Sequence, residues 1–205
     1  MPYNNGMGLK QLFVFALLSV PATGFAQNTD QVRRMFEAGH YQQVVEAAPP
    51  DAPPAVLFTA AQSQLKLGAS DQAREVYRIL AERPDSDAWH FIGLSGQQLI
   101  DDQTDAAAES AELAIGIDDG LPEAHYQRGL ALAKKQDWRN AAAAFDRVSE
   151  LNPSHAYAHY YGGLMHYRAG RADRMAIHFE QFLKLAPDAP ERPEVLQIMK
   201  TVRGR

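Results

Sequence analysis

Residues 122–153 read PEAHYQRGLALAKKQDWRNAAAAFDRVSELNP, and this stretch decides the fold. Apolar or small residues recur in it at intervals of three and four, which is the spacing that places side chains on one face of an α-helix. The polar pair Gln136-Asp137 interrupts the pattern, and Pro153 ends it, because proline cannot continue a helix. The stretch therefore predicts two amphipathic helices joined by a short turn.

The same pattern returns along the chain at a fixed interval. Moving the sequence along itself by 34 residues matches small residues with small ones and aromatic residues with aromatic ones, and a shift of 68 residues does the same from residue 54 onward. A period of this length is typical of proteins built from stacked helical repeats. The matched pairs include Ala124 with Ala158, Gly129 with Gly163, Phe145 with Phe179, Pro153 with Pro187, Pro54 with Pro122, and Tyr77 with Phe145.

The unit at 86–121 departs from this register. Its stretch Trp89-His90-Phe91-Ile92-Gly93 matches the start of a repeat two residues earlier than the strict period requires, whereas Ala107 and Ala111 keep the period. We therefore predict a shortened loop before this unit and a longer turn near Asp101-Asp102. Because no stretch shows a sustained alternation of apolar and polar residues, no β-sheet is predicted.

These units resemble the tetratricopeptide repeat family. The likeness is carried by Tyr126-Gln127-Arg128-Gly129 and Leu151-Asn152-Pro153 in one unit and by Gly163 and Leu185-Ala186-Pro187 in the next. The resemblance implies an all-α fold, a right-handed α-solenoid of antiparallel helix pairs. We expect an atypical first helix pair with a proline-rich connection at 27–53, four repeats within 54–187 (about 54–85, 86–121, 122–155 and 156–189), and a C-terminal capping helix at 190–205.

The resemblance also implies a concave groove lined by the first helix of each pair. In this family the exposed groove residues recur at the fifth, ninth, twelfth and thirteenth places of a repeat. This chain carries mainly aromatic and aliphatic side chains there, and the Lys and Asn clamp by which some members bind C-terminal carboxylates is absent from the sequence. Exposed Tyr and Phe side chains give a large contact area at a low entropic cost, which is typical of binding hot spots. The groove residues expected to bind a partner are Phe58, Gln62, His90, Leu94, Tyr126, Leu130, Lys134, Tyr157, Tyr160, Leu164, Tyr167 and Arg168.

Composition excludes several other classes of protein. The 205 residues contain no cysteine, which excludes disulfides, thiolate metal sites and cysteine nucleophiles. A formal net charge of −5 argues against a nucleic-acid partner. The charge is uneven, because residues 84–127 hold ten acidic residues and neither Lys nor Arg, whereas residues 128–205 have a basic surplus. This asymmetry fits a solvated surface, or a surface that orients a charged partner along the long axis.

Residues 1–26 have the pattern of a secretory signal peptide. Lys10 precedes a short apolar run at 12–20, and the small residues Gly24 and Ala26 precede Gln27. The run is shorter than the roughly 20 apolar residues that a membrane-spanning helix needs. We therefore expect cleavage after Ala26, a periplasmic or secreted mature chain, and no stable membrane insertion after cleavage. An uncleaved anchor is the alternative.

We expect neither an enzyme nor a bound cofactor or metal. The cluster that merits a test is His155, His159 and His166, because His155 and His159 are four residues apart and can share one helix face. No Glu lies between them, so the zinc-protease pattern is not met. A metal-dependent hydrolase using these three histidines is the less favoured alternative.

The sequence therefore favours a protein-interaction module. We expect an exported adaptor or assembly factor that binds a peptide or protein segment in its aromatic-lined groove, with a partner in the cell envelope. A periplasmic chaperone-like holder of one exported client is the alternative within the binding class. The oligomeric state is left open.

Overall fold

The computed structural model describes residues 29–204, and the expected signal segment at 1–26 lies outside them. Over the described residues the secondary structure is α-helical, without a strand. None of these helices is long and apolar enough to span a membrane. The helices are α1 (Thr29–Glu37), α2 (Tyr41–Glu46), α3 (Pro54–Lys66), α4 (Ser70–Ala81), α5 (Ala88–Ile100), α6 (Thr104–Ile117), α7 (Pro122–Lys134), α8 (Trp138–Leu151), α9 (Ala156–Arg168), α10 (Ala172–Leu185) and α11 (Arg192–Arg203).

Helices that are neighbours in sequence pack against each other. Four pairs, α3 with α4, α5 with α6, α7 with α8, and α9 with α10, stack one on the next. Their buried apolar side chains join into one core that runs through the stack. The predicted all-α solenoid of antiparallel helix pairs is thereby confirmed.

The four pairs follow the 34-residue period throughout. First helices begin at residues 54, 88, 122 and 156, and second helices at 70, 104, 138 and 172. The same turn position has a positive φ in every pair, with values of 75° at Gly68, 63° at Asp102, 61° at Gln136 and 74° at Gly170. The shortened loop and longer turn predicted for the unit at 86–121 are therefore wrong.

The predicted two-residue shift of the unit at 86–121 arose from Gly93, which resembles the glycine between the two helices of other repeats. The small residue that lies between the two helices of this pair is Ser95, which is buried and whose Oγ donates to the carbonyl of Ala107 at 2.9 Å. Gly93 lies instead against the preceding pair, where an added Cβ would approach the Ala81 backbone nitrogen to 2.4 Å. The groove places of α5 therefore move by two residues, to Ile92, Gly96, Leu99 and Ile100.

Gln136 occupies a left-handed turn position that glycine fills in two other pairs. Because a side chain in this conformation costs roughly 1–2 kcal/mol, part of which the flexibility of unfolded glycine offsets, we expect Gln136→Gly to raise the free energy of unfolding by about 0.5–1 kcal/mol. Urea denaturation measures the change. Gly68→Gln is the matched control and should lower the free energy of unfolding, because glutamine is unfavourable in the left-handed conformation of residue 68. No atom lies within 4 Å of the Cβ position of Gly68, so crowding does not contribute to the loss. A destabilised Gln136→Gly variant would contradict the turn geometry.

Acidic residues of the second helix pair form salt bridges with basic residues of the helix pairs on either side. These salt bridges are exposed to solvent, so each contributes only about 0–1 kcal/mol. The acidic second repeat lies between two repeats that supply basic partners, and this arrangement favours the observed order of stacking. Part of the negative charge of residues 84–127 is therefore neutralised by basic residues of the same chain. The ion pairs are Arg74 with Asp101 at 2.7 Å, Lys134 with Asp102 at 2.6 Å, Lys135 with Asp105 at 2.6 Å, and Arg128 with Glu112.

The first helix pair reaches across to the last repeat. The hydroxyl of Tyr41 in α2 lies 3.2 Å from the hydroxyl of Tyr157 in α9. A Cβ on Gly39, in the turn between α1 and α2, would lie 2.8 Å from Pro190. The two ends of the described chain therefore meet, and α1 contacts both α3 and the start of α9.

Candidate functional site

The first helices of the four pairs line a concave groove that holds a cavity of ≈780 Å³. Its wall is apolar over most of its area, and polar and charged side chains stand among the lining residues. Such a concave apolar surface with a few polar groups is the usual form of a binding site. The lining residues that matter below are Gln62, Leu65, Arg74, Gly96, Leu99, Ile100, Leu130, Lys134, Trp138, Leu164, Met165, Arg168 and Glu194.

The period of the sequence creates this wall. Leu130 and Leu164 occupy the same place in α7 and α9, one repeat apart, so their side chains enter the groove side by side. At the same place in α5 the chain has Gly96, where a Cβ would lie 2.4 Å from the ring of Tyr77. Tyr77 takes the room that a side chain would otherwise fill, so the ring of Tyr77 forms the groove wall at the second repeat.

Five of the residues predicted for the groove lie together at this cavity. They belong to three helices and combine an aliphatic wall with polar and basic groups. Their role in binding a partner stays a prediction. These residues are Gln62 of α3, Leu130 and Lys134 of α7, and Leu164 and Arg168 of α9.

Four predicted aromatic residues are buried, so the expectation that they line an exposed groove is wrong. Phe58, Tyr126, Tyr157 and Tyr160 are 5%, 2%, 0% and 7% exposed. Their rings pack against one another and against neighbouring rings, with 5.9 Å between the centroids of Phe58 and Tyr126 and 5.8 Å between those of Tyr157 and Tyr160. They form an aromatic core between the helices.

Helix α1 covers one end of this core. The ring of Phe36 lies 4.8 Å from that of Tyr157, measured between centroids. Glu37 accepts a hydrogen bond from the backbone N–H of Ala156 at 3.1 Å, at the start of α9, and burial raises the pKa of the Glu37 carboxyl. Arg33 donates to the carbonyl of Ser154 at 2.7 Å. Helix α1 therefore covers the aromatic core beside the first turn of α9.

The tyrosine hydroxyls are satisfied by the segment that begins α11. Tyr157 donates to Glu191 at 2.6 Å, and Tyr160 donates to Glu194 at 2.9 Å. Lys66 of α3 also donates to Glu191, at 2.5 Å, and its ammonium lies 5.0 Å from the centroid of the Tyr157 ring. Burial raises the pKa of both tyrosines. These bonds hold the C-terminal helix against the groove.

Three predicted groove residues lie away from the cavity wall. His90 and Leu94 were assigned in the register that the structure corrects, and Nδ1 of His90 lies 3.0 Å from the carbonyl of Arg83. Tyr167 is half-buried and packs against the core cluster. Their places on the groove wall are taken by neighbours, among them Leu99, Ile100 and Met165.

The three histidines considered for a hydrolase do not come together. His155 caps the N-terminus of α9, where its Nδ1 accepts a hydrogen bond from the N–H of Ala158 at 3.2 Å. Burial lowers the pKa of His155 to about 4, so this imidazole is neutral at pH 7. His159 and His166 lie in a different cluster, with Asp146 and His178.

Two segments of the chain, residues 55–86 and 126–190, match models of the tetratricopeptide repeat family. The structure of TTC0263, a thermophilic TPR protein of Thermus thermophilus, is similar with a TM-score of 0.60 and 18% identity, covering 84% of this chain and 99% of that one.

Two further structures have the same fold at a similarly low sequence identity. MamA gives a TM-score of 0.50 at 19% identity and covers 78% of this chain and 95% of its own. YrrB, described as a TPR protein with an unusual peptide-binding site, gives 0.50 at 16% identity and covers 86% of this chain and 85% of its own. No curated protein sequence matches. At these identities the likeness shows the fold.

Proposed function

Because the chain is a tetratricopeptide repeat protein, we propose that it is a protein-interaction module that binds an apolar peptide or protein segment in the open part of its groove. The observation that carries this proposal is the cavity of ≈780 Å³ with its largely apolar wall. Leu65, Leu130 and Leu164 pack against the core with one part of their surface and are only half-buried, so the remainder of each side chain faces the cavity. Apolar surface left in a concavity marks an interaction site.

Three side chains define the chemistry that the proposed partner must match. Leu65, Leu130 and Leu164 come from three different helices and line the same cavity. A partner that places apolar side chains along its length would cover them together, as segments do when they occupy hydrophobic grooves. The preferred occupant is therefore an apolar or amphipathic segment, and it need not end in a free carboxylate.

The charged side chains around the cavity favour a partner with acidic residues beside its apolar ones. Arg74, Lys134 and Arg168 are basic, and Glu194 is acidic. Arg74 and Lys134 also bridge to aspartates of the second repeat, whereas the guanidinium of Arg168 stands 5.8 Å from the centroid of the Trp138 ring. Because the aspartates offset the charges of Arg74 and Lys134, Arg168 is the basic side chain proposed to orient an acidic group of the partner.

Selection of peptides from a random display library on the full chain tests this role. We expect the selected peptides to be apolar or amphipathic and to lose at least about tenfold in affinity for Leu130→Asp, because the new carboxylate would be buried by the bound segment. Fluorescence anisotropy measures the affinity. Ile177→Asp is the matched control, since Ile177 is 57% exposed and belongs to α10, not to the cavity lining. Binding that Leu130→Asp leaves unchanged would overturn the groove as the binding site.

We further propose that the protein is exported and acts as an adaptor or assembly factor on a partner of the cell envelope. The support is the charged start, short apolar run and small-residue ending of residues 1–26. Intact mass measurement of the protein recovered from the envelope compartment should give a chain that begins at Gln27. Recovery of the uncleaved chain from the membrane fraction would instead indicate an anchor, and recovery from the cytoplasm would contradict export.

A further inference from the structure

A buried polar cluster lies where α8, α9 and α10 meet. Nε2 of His166 is 3.0 Å from Oδ1 of Asp146, and Nε2 of His178 is 2.8 Å from the same oxygen. The side chains of His166 and His178 are 0% and 8% exposed, and that of Asp146 is 27% exposed. One ligand atom from each of the three residues lies within 4.8 Å of the others. Two imidazoles therefore converge on one carboxylate that has access to solvent.

The hydrogen bonds of His159 fix the orientation of the His178 ring. Nε2 of His159 lies 3.1 Å from the carbonyl of Pro153, which only accepts, so this nitrogen carries a proton. In a neutral ring Nδ1 of His159 is then unprotonated, and it lies 3.3 Å from Nδ1 of His178. His178 must therefore donate a hydrogen bond from Nδ1, because the lone pairs of two unprotonated nitrogens would repel each other.

This assignment leaves Nε2 of a neutral His178 without a proton. Its lone pair then faces the lone pairs of Asp146 at 2.8 Å, an arrangement that needs a cation between the two atoms. The cation is either a second proton on His178 or a metal ion. His166 presents a second nitrogen to the same carboxylate, while its Nδ1 is buried without a hydrogen-bond partner among the described residues.

The donor set has the composition that first-row divalent metals take. Imidazole nitrogens and a carboxylate oxygen bind Zn²⁺ at roughly 2.0–2.2 Å, so neighbouring ligand atoms are about 3.4 Å apart in a tetrahedral site and about 3 Å apart at the right angles of a six-coordinate site. The two distances to Asp146 are 3.0 and 2.8 Å. A hydrogen bond from the far nitrogen of a ligating histidine is also the usual support of a metal ligand, and His178 makes one to His159.

We propose that Asp146, His166 and His178 form a binding site for a divalent transition-metal ion, with His159 as the residue that positions His178. The ligands would be Nε2 of each histidine and a carboxylate oxygen, and solvent would complete the coordination at the exposed side of Asp146. Because the three ligands come from three consecutive helices, the ion would tie the third repeat to the fourth. This proposal departs from the expectation of a metal-free protein.

Titration of the untagged, EDTA-treated full chain with Zn²⁺ tests the site. Calorimetry should give one ion per chain with a dissociation constant in the micromolar range or below, and the Tm should rise with Zn²⁺. In ¹⁵N NMR of the imidazole groups, the Nε2 signals of His166 and His178 should shift on addition of Zn²⁺, whereas those of His155 should not. This readout uses the native sequence and does not depend on whether a variant folds.

Substitutions then separate the site from other histidines. His166→Gln and His178→Gln should each weaken Zn²⁺ binding at least about tenfold, and His155→Gln is the matched control that should leave binding unchanged. Failure of the native chain to bind one Zn²⁺ at submillimolar concentration would overturn the proposal and assign the cation to a proton on His178. Zn²⁺-induced shifts at His155 without shifts at His166 and His178 would overturn it as well.

Discussion

Tyr126→Ala is expected to lower the free energy of unfolding by about 3–5 kcal/mol, the range found when a large buried aromatic side chain is removed. The ring is 2% exposed and lies at the centre of the aromatic core. Ring centroids of Phe58, Phe145, His155 and Tyr161 lie between 5.5 and 5.9 Å from it. Removing it would leave a cavity that rigid helices cannot close. Urea or thermal denaturation followed by circular dichroism measures the loss.

Tyr167→Ala is the control for this prediction. Both tyrosines were expected to line the groove, but Tyr167 is half-buried and stands at the edge of the core cluster. Its substitution should therefore cost clearly less than that of Tyr126. A Tyr126→Ala variant as stable as the native chain would mean that the ring is exposed, and the aromatic core would have to be reinterpreted as an open binding surface.

Gly93→Ala is expected to lower the free energy of unfolding by about 2–3 kcal/mol, because overpacking a rigid contact costs energy even for one methyl group. The added Cβ would lie 2.4 Å from the nitrogen of Ala81 and 2.6 Å from the carbonyl oxygen of Tyr77. Both are backbone atoms of α4, so no rotation of a side chain can relieve the clash. The first and second repeats would have to move apart.

Gly116→Ala is the matched control in the same repeat. Gly116 belongs to α6, and no atom lies within 4 Å of the position that its Cβ would take. Since alanine is the better helix former by up to about 1 kcal/mol, this variant should be as stable as the native chain or more so. Equal effects of the two substitutions on the denaturation midpoint would contradict the close approach of α5 to α4.

The repeat architecture could be predicted because it depends on the periodic spacing of residues along the chain. Matching small and aromatic residues at a spacing of 34 residues gives both the helix pairs and their order, and three of the four first helices were assigned in the correct register. The second repeat was misplaced because Gly93 resembles the glycine that lies between the two helices of other repeats. Ser95 has that role here, and its hydroxyl reduces its likeness to the glycine of the other repeats.

The contents of the groove could be predicted only in part. Leu130 and Leu164 follow from the repeat pattern, but the covering of Tyr157 by Phe36 depends on how a segment outside the repeats docks. An apolar spacing of four residues between Val32 and Phe36 was the available signal. The cluster of Asp146 with His178 brings together different helices, so spacing within one helix could not reveal it.

Photocrosslinking from the groove tests the proposed function most directly. A benzoyl-phenylalanine residue placed at Leu130 in the native host should give an adduct of one defined mass, and the same residue at Leu164 should give an adduct with the same partner, because both side chains line one cavity. The same group at Ile177, which is exposed on α10, should give no such adduct. Adducts formed from Ile177 and not from Leu130 or Leu164 would contradict a binding role for the groove.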